Sequence, residues 1–301
     1  RDAVEALQCE AVLLAAEQGS LTAAAERLDY TQSGITRMIS SLEEELGFPL
    51  FIRSRRGVRL TENGKEMLPL FRELRRAQQR AEQSAAEIRG IVSGSLTIGC
   101  YYSISAMWMP EILKRFKKRY PKIIIRLREG GNEEMSHWLG ERSVDCCLGA
   151  EPRRRDCDWL PIFRDELVAW LPKKHPLAGE ASFPLERLAE EDFIHTAPDQ
   201  DTDQDRLLSR YGIRPHSPFS TRDGFATYNM VEAGLGISFN QRLISKRWKG
   251  EVAELPFSPP QYVTLGISLP SLRDASPAAK RLIDCVSETM GEQFWALDSG
   301  R

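Results

Sequence analysis

Residues 31–43 read TQSGITRMISSLE. Ile35, Met38, Ile39 and Leu42 recur at i, i+3, i+4 and i+7, which predicts a helix with one apolar stripe. Gln32, Ser33, Thr36, Arg37 and Ser40 fall on the other side, a face of short or hydrogen-bonding groups with a single strong charge. Thr31 is a good N-cap for it. Gly34 sits in the first turn, where intrahelical hydrogen bonds are fewest, and leaves a gap in the side-chain surface.

Working backwards, residues 4–18 predict a first helix, broken by Gly19-Ser20, with Ser20 capping a second across Thr22–Leu28. Asp29-Tyr30 turn the chain into the quoted stretch. Two short helices joined by a tight turn, the second with a polar outer face, form the pattern of a helix-turn-helix. Working forwards, Gly47-Phe48-Pro49 stops the helix. Leu50-Phe51-Ile52 and Val58–Leu60 then predict a small hairpin around Arg55-Arg56-Gly57. Arg53, Arg55, Arg56 and Arg59 lie on it with no acid among them. They read either as a solvated charged hairpin or as a phosphate-contacting wing, and the neighbouring helix-turn-helix favours the wing.

Thr61 caps a long helix running to about Arg89. Met67, Phe71, Leu74, Gln78, Ala81, Ala85 and Ile88 follow 4-3 spacing along it. That stripe needs another helix, most simply the same helix of a second chain; packing on its own domain is the alternative. Pro69 lies inside and is expected to kink the helix or weaken it. Gly90, Ser93 and Gly94 predict a hinge.

Beyond the hinge the composition changes. Strands over 95–100, 123–127 and 144–148 alternate with helices over 104–119 and 133–141, which predicts a parallel sheet. Leu167–Leu171, Phe193–His195 and the run 234–239 predict further strands, and 205–213 and 226–234 further helices. Ser276-Pro277 opens a last helix. Two α/β lobes follow, and ligands of such sheets bind beyond the carboxyl ends of the strands. Tyr101, Tyr102 and Ser103 follow the first strand, where hydroxyls and free N–H groups suit an anion such as a carboxylate.

The bulk numbers narrow the classes. The 301 residues are enough for two or three compact units, and no apolar run of membrane-spanning length occurs. The N-terminal segment, broken by Glu5, Glu10 and Glu17, predicts an amphipathic helix rather than a signal peptide, so the expected location is the cytoplasm. Net charge is −2, and residues 1–90 hold 13 Lys+Arg against 14 Asp+Glu, so any nucleic-acid contact depends on local charge placement. Cys9, Cys100, Cys146, Cys147, Cys157 and Cys285 show no metal-ligand spacing and are expected to be reduced, buried thiols. The four histidines are scattered with no HExxH. Gly236–Asn240 lacks the final glycine of a nucleophile elbow. Counting from Asp201, Arg206 and Gly212 stand where a calcium loop needs Gly and Glu. No catalytic residue, metal or cofactor is expected.

The stretch GSLTAAAERLDYTQSGITRMISSLEEELGFPLFIRSRRGVRLTENG (19–64) resembles the helix-turn-helix signature of LysR-type transcriptional regulators in order, spacing and wing. The resemblance extends over essentially the whole chain. It departs at Cys9 and Val12, where the family often has Leu and Phe, and at Gly34, where it usually has Pro or another small residue. The resemblance implies a winged helix-turn-helix (1–61), a linker and dimerisation helix with hinge (62–92), and a two-lobed effector domain like a periplasmic binding protein (93–301). It implies a homotetramer, a dimer of dimers, on promoter DNA, regulated by a small molecule and meeting RNA polymerase if it activates. Ser20, Thr31, Gln32, Ser33, Thr36, Arg37, Arg53, Arg55 and Arg56 are then the expected DNA contacts, with Arg59 paired to an acid of its own domain. Met67, Phe71, Leu74, Ala81, Ala85 and Ile88 form the expected dimer stripe. Ser103 and Asn132 match ligand-contact positions, and Tyr102, Thr196, Gln200, Thr202, Phe225 and Thr227 are further candidates. A regulator without ligand response and a transport solute-binding protein are the competing readings.

Overall fold

The computed structural model describes residues 4–90, 92–198 and 200–298. Helices α1 (Ala6–Gln18), α2 (Leu21–Leu28) and α3 (Gln32–Leu46) form the N-terminal unit with strands β1 (Phe51–Ser54) and β2 (Gly57–Leu60). Ser20 Oγ accepts from Ala23 N and Thr31 Oγ1 from Gly34 N, so both expected caps are in place. Ile35, Ile39 and Leu42 are fully buried against Cys9, Ala11, Val12 and Ala15 of α1 and Ala24 and Ala25 of α2. Small residues on α1 and α2 let the three helices approach closely.

The wing is pinned at both ends. Val58 N donates to Gly19 O at 2.9 Å in the turn between α1 and α2. At Gly57, whose φ is +116°, a Cβ would stand 2.2 Å from that same carbonyl oxygen, so only glycine fits. At the other end Glu43 Oε1 accepts from Leu50 N (2.7 Å) and Phe51 N (3.1 Å), tying β1 to the last turns of α3.

Helix α4 (Glu62–Ile88) continues through Pro69. Its first half belongs to the N-terminal core: Phe71 and Leu68 are buried there and Met67 packs against them. Its second half crosses the C-terminal unit, with Arg72 and Arg76 paired to Glu141 and Asp145, and Glu73 to Arg142. The expected hinge is shorter than read, because Ser93 and Gly94 already belong to the next strand; Ile91 lies outside the described residues.

In the first lobe β3 (Ser93–Cys100) pairs in parallel with β4 (Lys122–Glu129) and β5 (Cys146–Ala150). The helix expected over 104–119 is two, α5 (Tyr102–Met107) and α6 (Met109–Arg119), divided at Trp108 with Pro110 opening the second. A proline at a first turn forfeits no hydrogen bond, whereas inside one long helix it would. Helix α7 (Asn132–Gly140) covers the opposite sheet face from α6.

The expected parallel sheet forms in this lobe; in the second lobe parallel pairing is confined to short strands, while its long strands run antiparallel. Strand β6 (Asp158–Pro172), of which only the end was expected, runs into the second lobe. It is followed by the short β7 (Phe183–Pro184), β8 (Asp192–Thr196), α8 (Asp203–Tyr211), β9 (His216–Thr221), α9 (Gly224–Glu232), β10 (Ser238–Gln241) and α10 (Arg242–Ser245). Strand β11 (Val252–Leu269) then returns antiparallel to β6 along nearly its whole length and pairs with β5. The sheet order is therefore β10-β6-β11-β5-β3-β4, with β6 and β11 spanning both lobes. The prolines at 256, 259 and 260 hid β11 from sequence reading; the register shift between Pro256 and Gln261 accommodates them. The last helix, α11 (Pro277–Asp298), packs on α6 and β3.

Candidate functional site

Two surfaces carry the residues singled out from sequence. On the N-terminal unit, burial of the Ile35, Ile39 and Leu42 stripe turns the rest of α3 outward. Gln32, Ser33 and Arg37 are exposed and Thr36 is half-buried. Ser33 Oγ lies 3.2 Å from Thr31 Oγ1, and the Ser20 and Thr31 side chains are engaged as caps. These two residues offer a nearby anion their helix-start N–H groups rather than free hydroxyls. Arg55 and Arg56 are exposed at the wing tip. The intradomain ion pair expected of Arg59 is made by Arg53 instead. Arg53 Nη2 donates to Ser40 Oγ at 3.0 Å and lies 3.4 Å from Glu43 Oε2, whereas Arg59 is exposed with no ion pair among the described residues.

The stripe on α4 divides at its middle. Phe71 is buried in its own chain, which corrects its assignment to a dimer stripe, and Met67 is packed beside it. Leu74, Ala81, Ala85 and Ile88 stay exposed, with Leu70 next to them.

The second surface is a cleft between the lobes. Tyr102, Ser103, Asn132, Thr196, Gln200 and Thr202 all line it, joined by Tyr101, Glu134, Asp203, Gln204, Arg222, Phe239 and Gln241. The cavity is about 140 Å³, small beside the roughly 300–1,000 Å³ of pockets for drug-sized ligands, so it suits a small metabolite. Two expected residues are not in the lining. Phe225 points to solvent and stacks edge-on against Trp248, and Thr227 is fully buried one layer behind, 2.8 Å from Thr196 Oγ1.

Residues from both lobes meet across the cleft. Ser103 Oγ donates to Gln241 Oε1 (3.2 Å), and Gln241 Nε2 donates to Asp203 Oδ2 (2.5 Å). Asn132 accepts a hydrogen bond from the Tyr101 hydroxyl on Oδ1 and donates from Nδ2 to the Asp201 carbonyl. Arg153 and Arg206 both pair with Asp201, and Arg222 stands 3.7 Å from Glu134. Burial pushes the Asp203 carboxyl above its ordinary value. Sequence reading missed Asp203, Gln204 and Gln241. Their order along the chain carries no spacing signal, and they converge only because β10 and the start of α8 are brought together.

Among the described residues no group of histidine, cysteine or acidic side chains could hold a metal ion. Five cysteines are buried and Cys157 is half-buried. Burial pushes the Cys9 and Cys100 thiols up to about 11 and about 12, away from thiolate reactivity. Among the described residues no helix is long and apolar enough to cross a membrane.

Two sequence families match. The profile described as "Bacterial regulatory helix-turn-helix protein, lysR family" covers residues 7–65, and "LysR substrate binding domain" covers residues 89–291. The HTH-type transcriptional regulator YvbU of Bacillus subtilis is 30% identical over 281 residues, 92% of this chain and 96% of that protein. The RuBisCO operon transcriptional regulator of Allochromatium vinosum is 33% identical over 74% of each chain. Among solved structures, full-length OxyR C199D from Pseudomonas aeruginosa superposes with a TM-score of 0.79 at 21% identity, covering 96% of this chain and 95% of that one. CbnR complexed with its target DNA gives 0.63 at 20% identity, covering 95% and 100%. At that identity both speak to the fold alone.

Proposed function

The chain belongs to the LysR family of transcriptional regulators, a helix-turn-helix unit joined to an effector-binding domain, and on that premise we propose which surface serves each task. Helix α3 enters the major groove, with Gln32, Ser33, Thr36 and Arg37 toward base edges and phosphates. Gln suits adenine and Arg suits guanine, each good bidentate pair giving about 1–3 kcal/mol of discrimination. Arg55, Arg56 and Arg59 of the wing meet the phosphate backbone, Arg53 supports it through Ser40 and Glu43, and Ser20 and Thr31 present helix-start N–H groups. The single observation that carries this reading is the outward face of α3, solvent-facing beside an exposed arginine wing.

The domains divide as 1–61, 62–92 and 93–301. The exposed half of α4, with Leu74, Ala81, Ala85 and Ile88, pairs with a second copy, and pairs of dimers supply the avidity that one small wing lacks. The effector occupies the interlobe cleft against Tyr102, Ser103, Asn132, Thr196, Gln200 and Thr202. The protein works in the cytoplasm on promoter DNA, touches RNA polymerase where it activates, and catalyses nothing.

Footprinting tests the assignment of the DNA face. The protein is expected to protect a pseudo-palindromic site near its own gene. A Gln32→Ala, Arg37→Ala double variant with an unchanged melting temperature should lose that protection. Full protection by the folded double variant would remove α3 from the groove.

A further inference from the structure

Two residues of the cleft lining each carry an acceptor atom with no donor among the described residues. Asp203 Oδ1 and Gln200 Oε1 are shut off from solvent, and neither has a hydrogen-bond partner among the described residues. Both residues line the cleft and flank the start of α8. The other Asp203 oxygen is occupied by Gln241 Nε2, whose own amide oxygen is held by Ser103. The orphaned oxygen therefore belongs to a carboxylate already fixed in place by both lobes. Buried acceptors, charged ones above all, are costly to leave unmet, and native structures leave few.

The lining charges select the donor. Glu134 and Asp203 are carboxylates, and Arg222 is the guanidinium. Arg222 is exposed at the rim and lies against Glu134. An effector made only of anionic groups would set its charge beside two carboxylates and a guanidinium already engaged. A cation with several N–H groups meets acceptors instead.

We propose that the effector bears a primary ammonium group, bound at the Asp203–Gln200 corner, with Asp203 Oδ1 as its first acceptor and Gln200 Oε1 as its second. This rests on the cleft being the effector site, and it replaces the anion expected from the Tyr101–Ser103 stretch. A zwitterion fits the same frame only where its carboxylate displaces Glu134 from Arg222, which is exposed at the rim. Burial raises the Asp203 carboxyl, and an ammonium neighbour offsets that by favouring the ionised form.

The test uses the full-length protein and matched probes: ethanolamine against ethylene glycol, and glycine against acetate, each followed by thermal shift at millimolar concentration. The amine of each pair is expected to raise the melting temperature and its amine-free counterpart to leave it unchanged. Asp203→Asn should weaken the amine response at least tenfold. Gln200→Met, close in size, should also weaken it and carries the test if Asp203→Asn does not fold. Equal shifts from amine and amine-free probes overturn the proposal, as does no shift from either amine. If such equal shifts vanish in Thr196→Ala, the cleft remains the effector site and only the ligand class is wrong. Amine shifts that survive Asp203→Asn, Gln200→Met and Thr196→Ala overturn the proposal and the cleft assignment together.

Discussion

Helix α3 presents Gln32, Ser33, Thr36 and Arg37 from one short stretch of chain. The cleft draws its lining from five separated ones, near 101–103, 130–134, 196–204, 222–224 and 239–244. The first surface is made by local periodicity: once the Ile35, Ile39 and Leu42 stripe is buried, every other direction is fixed by the helix. The second exists only after β6 and β11 have crossed between lobes and set α5, α7, α8 and β10 facing one another. A surface of the first kind is damaged by changing what supports the helix. A surface of the second kind is tuned by groups whose energies depend on remote partners.

Breaking the support of the first surface is expected to have the largest effect. Gly57→Ala puts a Cβ 2.2 Å from Gly19 O at a φ of +116°, so the wing must leave its seat. A loss on the order of 3 kcal/mol is expected, read as a lower denaturation midpoint for the N-terminal unit together with weakened DNA binding. An unchanged midpoint would show that the wing is not pinned there.

The second surface contains its own test in Asp165 of β6, which lies behind the cleft and accepts from Leu243 N and Glu166 N. Burial is the main cause that lifts its carboxyl from 3.8 to about 6, with Asp203 adding to the rise and Arg242 opposing it. A folded-state value above the unfolded one means the folded state binds the proton more tightly. The stabilisation is full below about pH 4 and is lost as pH rises through about 6. Asp165→Asn does not titrate. The stability of the natural chain relative to that variant should therefore fall by about 3 kcal/mol between pH 3 and pH 7, at 1.36 kcal/mol per unit. A pH-independent difference would place the carboxyl in a solvated setting.

At the DNA, Arg37→Ala is expected to cost about 1–3 kcal/mol on the operator and to relax preference at one base pair. Arg55→Ala should weaken all sequences alike and reduce the salt slope by about one. Binding titrations on operator and random duplexes at several salt concentrations separate the two. Equal loss on both duplexes for Arg37→Ala would make it a phosphate contact.

The same contrast explains what could be read in advance. The helix-turn-helix, its caps at Ser20 and Thr31 and the wing were legible because each depends on neighbours within a few residues. The placement of Tyr102, Ser103 and Asn132 was legible because strand ends face the cleft in any such sheet. Phe225 and Thr227 misled because a helix start near the cleft does not determine which of its side chains enters it. The pairing of Arg53 rather than Arg59 was invisible because Glu43 and Ser40 reach β1 only through the fold. Strand β11 was hidden by prolines that local propensity counts against a strand but that a register shift accommodates. On α4 one periodic stripe divides between its own core at Phe71 and an exposed face from Leu74 onward.

The smallest effect is expected at Gly34, and it sharpens the contrast most finely. The gap there could serve close approach of DNA or simply be tolerated. A Cβ at Gly34 would meet Thr31 Oγ1 at 3.1 Å and Tyr30 Cδ1 at 3.7 Å, both within its own domain. The first is the cap oxygen that accepts from Gly34 N. Alanine adds roughly 1 kcal/mol of helix propensity at most, and less in a first turn, while pressing on a cap of similar worth. The two oppose each other, so Gly34→Ala should move stability by no more than a few tenths of a kcal/mol. If operator affinity is equally unmoved, the gap serves the cap and the turn. A large loss of operator binding at unchanged stability would instead place the DNA backbone against that bare Cα.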